Sequence, residues 1–164
     1  MSPYHLAPMS ETPSLPHLVD PGKMAEQTAQ LVLRTPLAAF KRLREVTLSD
    51  DGDVSVQIRF HRDARGVPNL RGSVSATVEQ TCQRCLSAVS VAVQADVNVF
   101  LLNDEAYADR LSEDDDYVVF GDDRLDLPEL LEDELIMALP LVARHEDCQP
   151  QAALTVLPEA DDEP

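Results

Sequence analysis

From Val54 to Leu101 apolar and polar residues alternate with a period of two. Val54, Val56, Ile58 and Phe60 interleave with Ser55, Gln57 and Arg59. Val74, Ala76 and Val78 interleave with Ser73, Ser75 and Thr77. The longest run sets Val89, Val91, Val93, Ala95, Val97, Val99 and Leu101 against Ser90, Ala92, Gln94, Asp96, Asn98 and Phe100. Period two sends successive side chains to opposite faces, so each run predicts a half-buried strand. The polar, Gly- and Pro-bearing stretch from His61 to Asn69 predicts a turn. The last two runs predict a hairpin. Tyr117-Val118-Val119-Phe120 adds a short strand, and Gly121-Asp122-Asp123 turns the chain.

On either side of these strands the period lengthens. Leu127, Leu130, Leu131, Leu135, Ala138 and Leu139 form a wide apolar stripe, with Glu132, Asp133 and Glu134 mostly outside it. This predicts an amphipathic helix at about 127–139. Asp126 and Glu129 have the spacing of a capping box, Pro128 is tolerated in the first turn, and Pro140 ends the helix. Upstream, Asp20 is a plausible cap. Met24 to Leu33 reads as a helix with Met24, Thr28, Leu31 and Val32 on one face. Pro36 interrupts it. Leu37 to Leu43 reads as a second short helix, with Leu37, Phe40 and Leu43 on one side. The fold class predicted is α+β: a largely antiparallel sheet with a long hairpin, flanked by an N-terminal helix or two and the 127–139 helix.

At 164 residues the chain has the size of one domain with a real core. That domain is expected over 18–148. Pro3, Pro8, Pro13 and Pro16 among Ser and Thr predict a flexible arm over 1–17. The Pro-, Ala- and acid-rich residues 149–164 predict an acidic mobile tail. No apolar run approaches the roughly 18 residues that span a bilayer. No basic stretch followed by an apolar one opens the chain, as a secretory signal would require. An odd number of cysteines, two of them in a C-x-x-C, argues against a disulfide scaffold. The expected location is therefore the cytoplasm.

Charge changes the picture further. The formal net charge is -17. Residues 1–84 hold ten Lys and Arg against nine Asp and Glu, while residues 85–164 hold three against twenty-one. The C-terminal half therefore repels phosphate and attracts basic partners. The charge disfavours non-specific nucleic-acid binding through the whole surface, because that mode needs many Lys or Arg contacts to phosphate. Arg34, Lys41, Arg42, Arg44, Arg59, Arg62, Arg65 and Arg71 could gather into one basic face; scattered surface charge is the bland alternative. The acidic run Glu113 to Asp116 lacks the spacing and glycine of a calcium loop.

The candidate chemistry lies in Thr81-Cys82-Gln83-Arg84-Cys85-Leu86, in the hairpin connection. C-x-x-C at a tight turn offers two thiolates with the bite that zinc needs, and His145 and Cys148 repeat that spacing after the last helix. Cys82, Cys85, His145 and Cys148 would make a closed four-ligand site, structural rather than catalytic. Three unpaired thiols without metal are the bland alternative. A redox motif normally opens a helix, whose N-terminus lowers a thiol pKa, and here the cysteines precede a strand. No P-loop, Rossmann glycine pattern or hydrolase constellation is present.

Cys82-Gln83-Arg84-Cys85-Leu86, the acidic helical run closing in Leu135-Ile136-Met137-Ala138-Leu139-Pro140, and His145 with Cys148 resemble the YceD-like bacterial proteins. Asp20-Pro21, Pro36-Leu37 and Phe40 precede the strands much as in relatives, so the resemblance covers roughly 18–148. It implies a role in the accumulation of 23S ribosomal RNA and in large-subunit assembly, and no enzymatic activity. The implied partners are rRNA or a precursor large subunit, and a small basic ribosomal protein. Arg42, Arg44, Arg59, Arg62, Arg65, Arg71 and Arg84 are the candidate contacts. One structural Zn(II) is the candidate cofactor. The competing class is a cytosolic metal- or redox-handling protein that uses the C-x-x-C.

Overall fold

The computed structural model describes residues 14–151. Most of the arm expected over 1–17, and most of the tail expected over 149–164, lies outside them. The described chain runs β1 (Leu18–Val19), α1 (Pro21–Glu26), β2 (Gln30–Pro36), a 3-10 turn (Leu37–Ala39), α2 (Lys41–Glu45), β3 (Asp53–Arg62), β4 (Pro68–Thr81) and β5 (Ala88–Leu102). A second 3-10 segment (Glu105–Arg110), β6 (Tyr117–Val119), β7 (Leu125–Asp126) and α3 (Leu127–Ala138) complete it. No helix among the described residues is long and apolar enough to cross a membrane.

The expected α+β class stands. Five strands pair in the order β2-β3-β4-β5-β6, and β1 pairs with β7 apart from them. Every pairing in the larger sheet is antiparallel except β5 with β6. The period-two pattern sets the faces. Val54, Val56, Ile58 and Phe60 point inward beside Val74, Ala76, Val78, Val93, Ala95, Val97 and Val99. Ala25 of α1, Leu43 of α2 and Leu127, Leu130, Leu131 and Leu135 of α3 cover that same face. Among the described residues the other face carries no α-helix; at its β5 end Ala108 of the second 3-10 segment and Leu111 pack over Phe100 and Leu102, and the rest of it is open.

Two N-terminal readings are corrected. The helix expected from Met24 to Leu33 stops at Glu26, and Gln30–Pro36 is an edge strand paired with β3. Thr28 takes a left-handed φ of 45°, which turns the chain between the two elements. Leu31 lies seven residues after Met24, a helical spacing, and two before Leu33, a strand spacing, so the apolar pattern alone does not separate the two periods. Pairing with β3 decides the outcome, placing Leu31 beside Ile58 and Leu33 beside Val56. The helix expected over Leu37 to Leu43 is a 3-10 turn followed by a short α-helix, yet Leu37, Phe40 and Leu43 share the buried side as expected.

Helix caps follow the sequence. Asp20 accepts from Lys23 N at 3.1 Å, and Asp126 accepts from Glu129 N at 3.0 Å. Glu132, read as mostly outside the apolar stripe, is instead only 6% exposed. Its carboxylate accepts from the backbone N–H groups of Arg42 and Leu43 and from Arg42 Nε. Phe40 cannot cap α2 with its own side chain, so a carboxylate from α3 satisfies the first turn. Burial of a charge is tolerated here because its hydrogen-bonding capacity is met.

Gly72 lies mid-sheet, paired with Ile58 and Val97, at φ 150°. A Cβ there would overlap the Gln57 carbonyl and sit 2.7 Å from Ile58 Cα. Gly72→Ala is expected to cost about 3 kcal/mol, from backbone strain plus collision. Glu132→Ala is expected to cost about 2–3 kcal/mol, since two buried N–H groups lose their acceptor, whereas Asp133→Asn should cost less than about 1 kcal/mol. Denaturant melts of the three variants check both statements; equal melts for Glu132→Ala and Asp133→Asn would refute the capping role.

Candidate metal centre and charged surfaces

Residues 82–87 join β4 to β5. Cys82 N donates to Ser87 O at 2.8 Å and Leu86 N to Cys82 O at 2.9 Å, closing the loop. Leu86 adopts φ 60°, which costs a non-glycine residue about 1 kcal/mol. The other half of the site follows α3. Gln83 N donates to Ala143 O at 2.9 Å, Gln151 N to Arg84 O at 3.2 Å, and an Arg84 guanidinium N–H to Cys148 O at 3.3 Å. These bonds lay the post-helix segment against the hairpin tip.

They bring all four expected residues together. The ligand atoms of Cys82, Cys85, His145 and Cys148 lie within 4.8 Å of one another. Cys82 Sγ is 3.6 Å from Cys148 Sγ, and Cys85 Sγ is 3.3 Å from His145 Nδ1. A tetrahedral ion bound at about 2.3 Å to each sulfur sets S···S separations of about 3.8 Å. The cluster therefore fits a four-coordinate metal ion, with no protein ligand missing.

The electrostatics favour thiolate at Cys82 and Cys85 but not at Cys148. Burial pushes the Cys82 thiol up, but the N–H groups of Cys85, His145 and Arg84, together with Cys148, outweigh it and hold the thiol at about 5. Cys85 is held low by the Ser87 hydroxyl, 3.0 Å away, and by the Ser87 backbone. Hydrogen bonds to Cys82 and Cys85 raise the His145 imidazole. Burial raises Cys148, aided by the two neighbouring sulfurs. N–H donors aimed at sulfur stabilise the charged form. Cys82 and Cys85 lie between two strands, not at the start of a helix.

The candidate arginines do not form one face. Arg42 pairs with Glu132 and Asp133, and Arg44 with Asp50. Arg62 pairs with Glu26 and donates to Gly66 O. Arg65 pairs with Asp63 and Asp115, donates to Arg110 O, and lies 5.0 Å over the Phe100 ring. It thereby ties the β3–β4 turn to the acidic loop before β6. Arg84 belongs to the hairpin tip. Arg59 and Arg71 project from the uncovered face of the sheet, as does Arg34. Lys41 is exposed on α2.

Comparison with known proteins identifies the family. A sequence model described as "Large ribosomal RNA subunit accumulation protein YceD" matches residues 70–163. The chain is also 31% identical, over 88% of its length and 87% of the relative's, to the large ribosomal RNA subunit accumulation protein YceD of Haemophilus influenzae (strain ATCC 51907 / DSM 11121 / KW20 / Rd). The chain belongs to the YceD family. No solved structure matches it. The stretch matched by the YceD model takes in the Cys82–Cys85 turn, α3, His145 and Cys148. Two contributors escaped the sequence reading: the Ser87 hydroxyl and the Ala143 carbonyl. Neither residue type signals a site, and only the folded loop places them.

Proposed function

We propose that the chain is a non-catalytic, cytoplasmic ribosome-biogenesis factor required for 23S rRNA accumulation and assembly of the large subunit. Membership of the YceD family carries this reading. The charge distribution supports a division of labour. The acidic C-terminal half attracts a small basic ribosomal protein, while arginines of the N-terminal half meet rRNA in a precursor particle. Deleting the gene is expected to lower 23S relative to 16S rRNA and to deplete mature large subunits in sucrose gradients. An unchanged ratio, with restoration of the gene making no difference, would overturn the proposal.

The Cys82, Cys85, His145 and Cys148 cluster is proposed to hold one structural zinc ion. Four protein ligands leave no open position for a substrate or water, so the ion would fasten the post-helix segment to the hairpin. The close approach of Cys82 and Cys148 also favours a second reading, a metal- or redox-handling protein. Elemental analysis decides between them. About one zinc per chain is expected after purification under reducing conditions, with thiols slow to react. Chelation should lower the melting temperature by about 10 °C. Cys82→Ser should lose the metal and destabilise the fold, whereas Ser90→Ala on the exposed strand face should do neither. Metal-free protein with three freely titratable thiols would refute the structural site and favour redox chemistry.

A further inference from the structure

The uncovered face of the sheet holds a cationic row with no carboxylate in it. Gln30, Arg59, Arg71 and Asn98 stand side by side across β2, β3, β4 and β5. Arg59 and Arg71 are direct cross-strand partners. Like charges placed opposite one another oppose strand pairing. Among the described residues neither joins an ion pair, although Arg42, Arg44, Arg62 and Arg65 all do. Arg71 Nε donates to Asn98 Oδ1 at 3.1 Å, a neutral acceptor that leaves the charge in place. The next row is Val32, Gln57, Ser73 and Asp96, and the one after it Arg34, Ser55, Ser75 and Gln94. Across these three rows three arginines face one carboxylate, Asp96; Asp53 and Glu79 lie on the same face beyond the Arg34 row, away from Arg59 and Arg71. The whole chain runs the other way, with 30 acidic residues against 13 Lys and Arg.

This pattern fits an anion bridging Arg59 and Arg71, with hydroxyl and amide groups beside it. We propose that this face binds the phosphate backbone of duplex RNA, Arg59 and Arg71 gripping phosphate and Arg34 a second contact along the strand. Ser55, Gln57, Ser73, Ser75 and Gln94 are groups able to hydrogen-bond 2′-hydroxyls. Duplex is favoured over single strand because these rows present no aromatic platform on which bases could stack. Phe100, the nearest outward aromatic, is 5% exposed and lies beneath Arg65. The proposal rests on the rRNA reading above and narrows it to one surface and one form of RNA.

The test uses the full chain and a fluorescent RNA duplex of about 16 base pairs, the span of a typical duplex-binding module. Anisotropy titrations at low salt compare the native chain, Arg59→Gln with Arg71→Gln, and a charge-matched control, Arg110→Gln with Arg124→Gln. The Arg59 and Arg71 variant is expected to lose about tenfold in affinity, and its salt dependence to fall by about two phosphate contacts. Its melting temperature should hold or rise, because a like-charge pair is removed, and this separates lost contact from lost fold. The control should change less than about twofold. No duplex binding by the native chain, equal losses in both variants, or equal affinity for a DNA duplex of the same sequence would each overturn the proposal. In cells, a deletion that lowers 23S rRNA but is fully rescued by the Arg59 and Arg71 variant defeats this surface and leaves the function standing. A deletion without effect on 23S rRNA defeats the function itself, whatever the duplex shows.

Discussion

The register of β4 against β5 is the constraint on which the other features depend. The two strands pair without interruption from Asn69 with Phe100 to Thr81 with Ala88. A slip of one residue would exchange every inward side chain for an outward one. Val74, Ala76, Val78, Val93 and Val97 would leave the core, and the polar residues of the open face would enter it. The same slip would shift the 82–87 loop away from residues 143–151, separating Cys82 and Cys85 from His145 and Cys148. One pairing pattern thus fixes the core, the polar face and the thiol cluster together. Gly72 holds a place in that pattern where no side chain fits.

Covering only one face of the sheet has a second consequence. α1 and α2 are too short to be stable on their own, so packing on the sheet must hold them. Glu132 couples α2 to α3 through the backbone of α2, which makes the helical layer one unit. Arg65 does the same at the far end of the sheet by clasping the acidic loop. In a chain this acidic, most candidate arginines neutralise carboxylates within the fold. On the open face Arg59 and Arg71 join no ion pair among the described residues, although Asp53, Glu79 and Asp96 share that face.

Much of this was legible in the sequence, and the misses have physical causes. Period two is a strong signal: β3, β4 and β5 all appear, although β3 ends at Arg62 and β4 begins at Pro68, both inside the stretch expected to be a turn. The 127–139 helix appears with its Asp126 cap and its end before Pro140. Cys82, Cys85, His145 and Cys148 converge because a C-x-x-C turn and a His-x-x-Cys segment are each local units. The N-terminal strand was read as helix because Met24, Thr28, Leu31 and Val32 share helical spacing, and only the neighbouring β3 shows that Leu31 and Leu33 follow period two instead. Glu132 looked solvent-facing because its acceptor role depends on N–H groups ninety residues upstream. The arginines could not be sorted from sequence, since pairing is a property of three-dimensional neighbours. Composition reveals total charge, not which charges remain uncompensated.

The segment after α3 shows why the thiol cluster is best understood as a fastening. Leu141 is fully exposed, and Val142 and Met137 are exposed as well. The apolar cluster at this end contains only Cys82, Val89 and Ala143 as buried members. Ordering each backbone residue costs about 1–2 kcal/mol, so fixing residues 141–150 costs on the order of 10 kcal/mol. Burying Ala143 and a few backbone hydrogen bonds offset only a small part of that, at about 1 kcal/mol per bond. Something else must hold this stretch against the hairpin tip. Besides Ala143, the side chains of this stretch that meet the tip are His145 and Cys148, and both face sulfur. A metal ion held by four ligands contributes its binding free energy to folding, because no such site exists in the unfolded chain. The proposed zinc ion would act at this end of the molecule, where the apolar contacts that hold the post-helix segment are few.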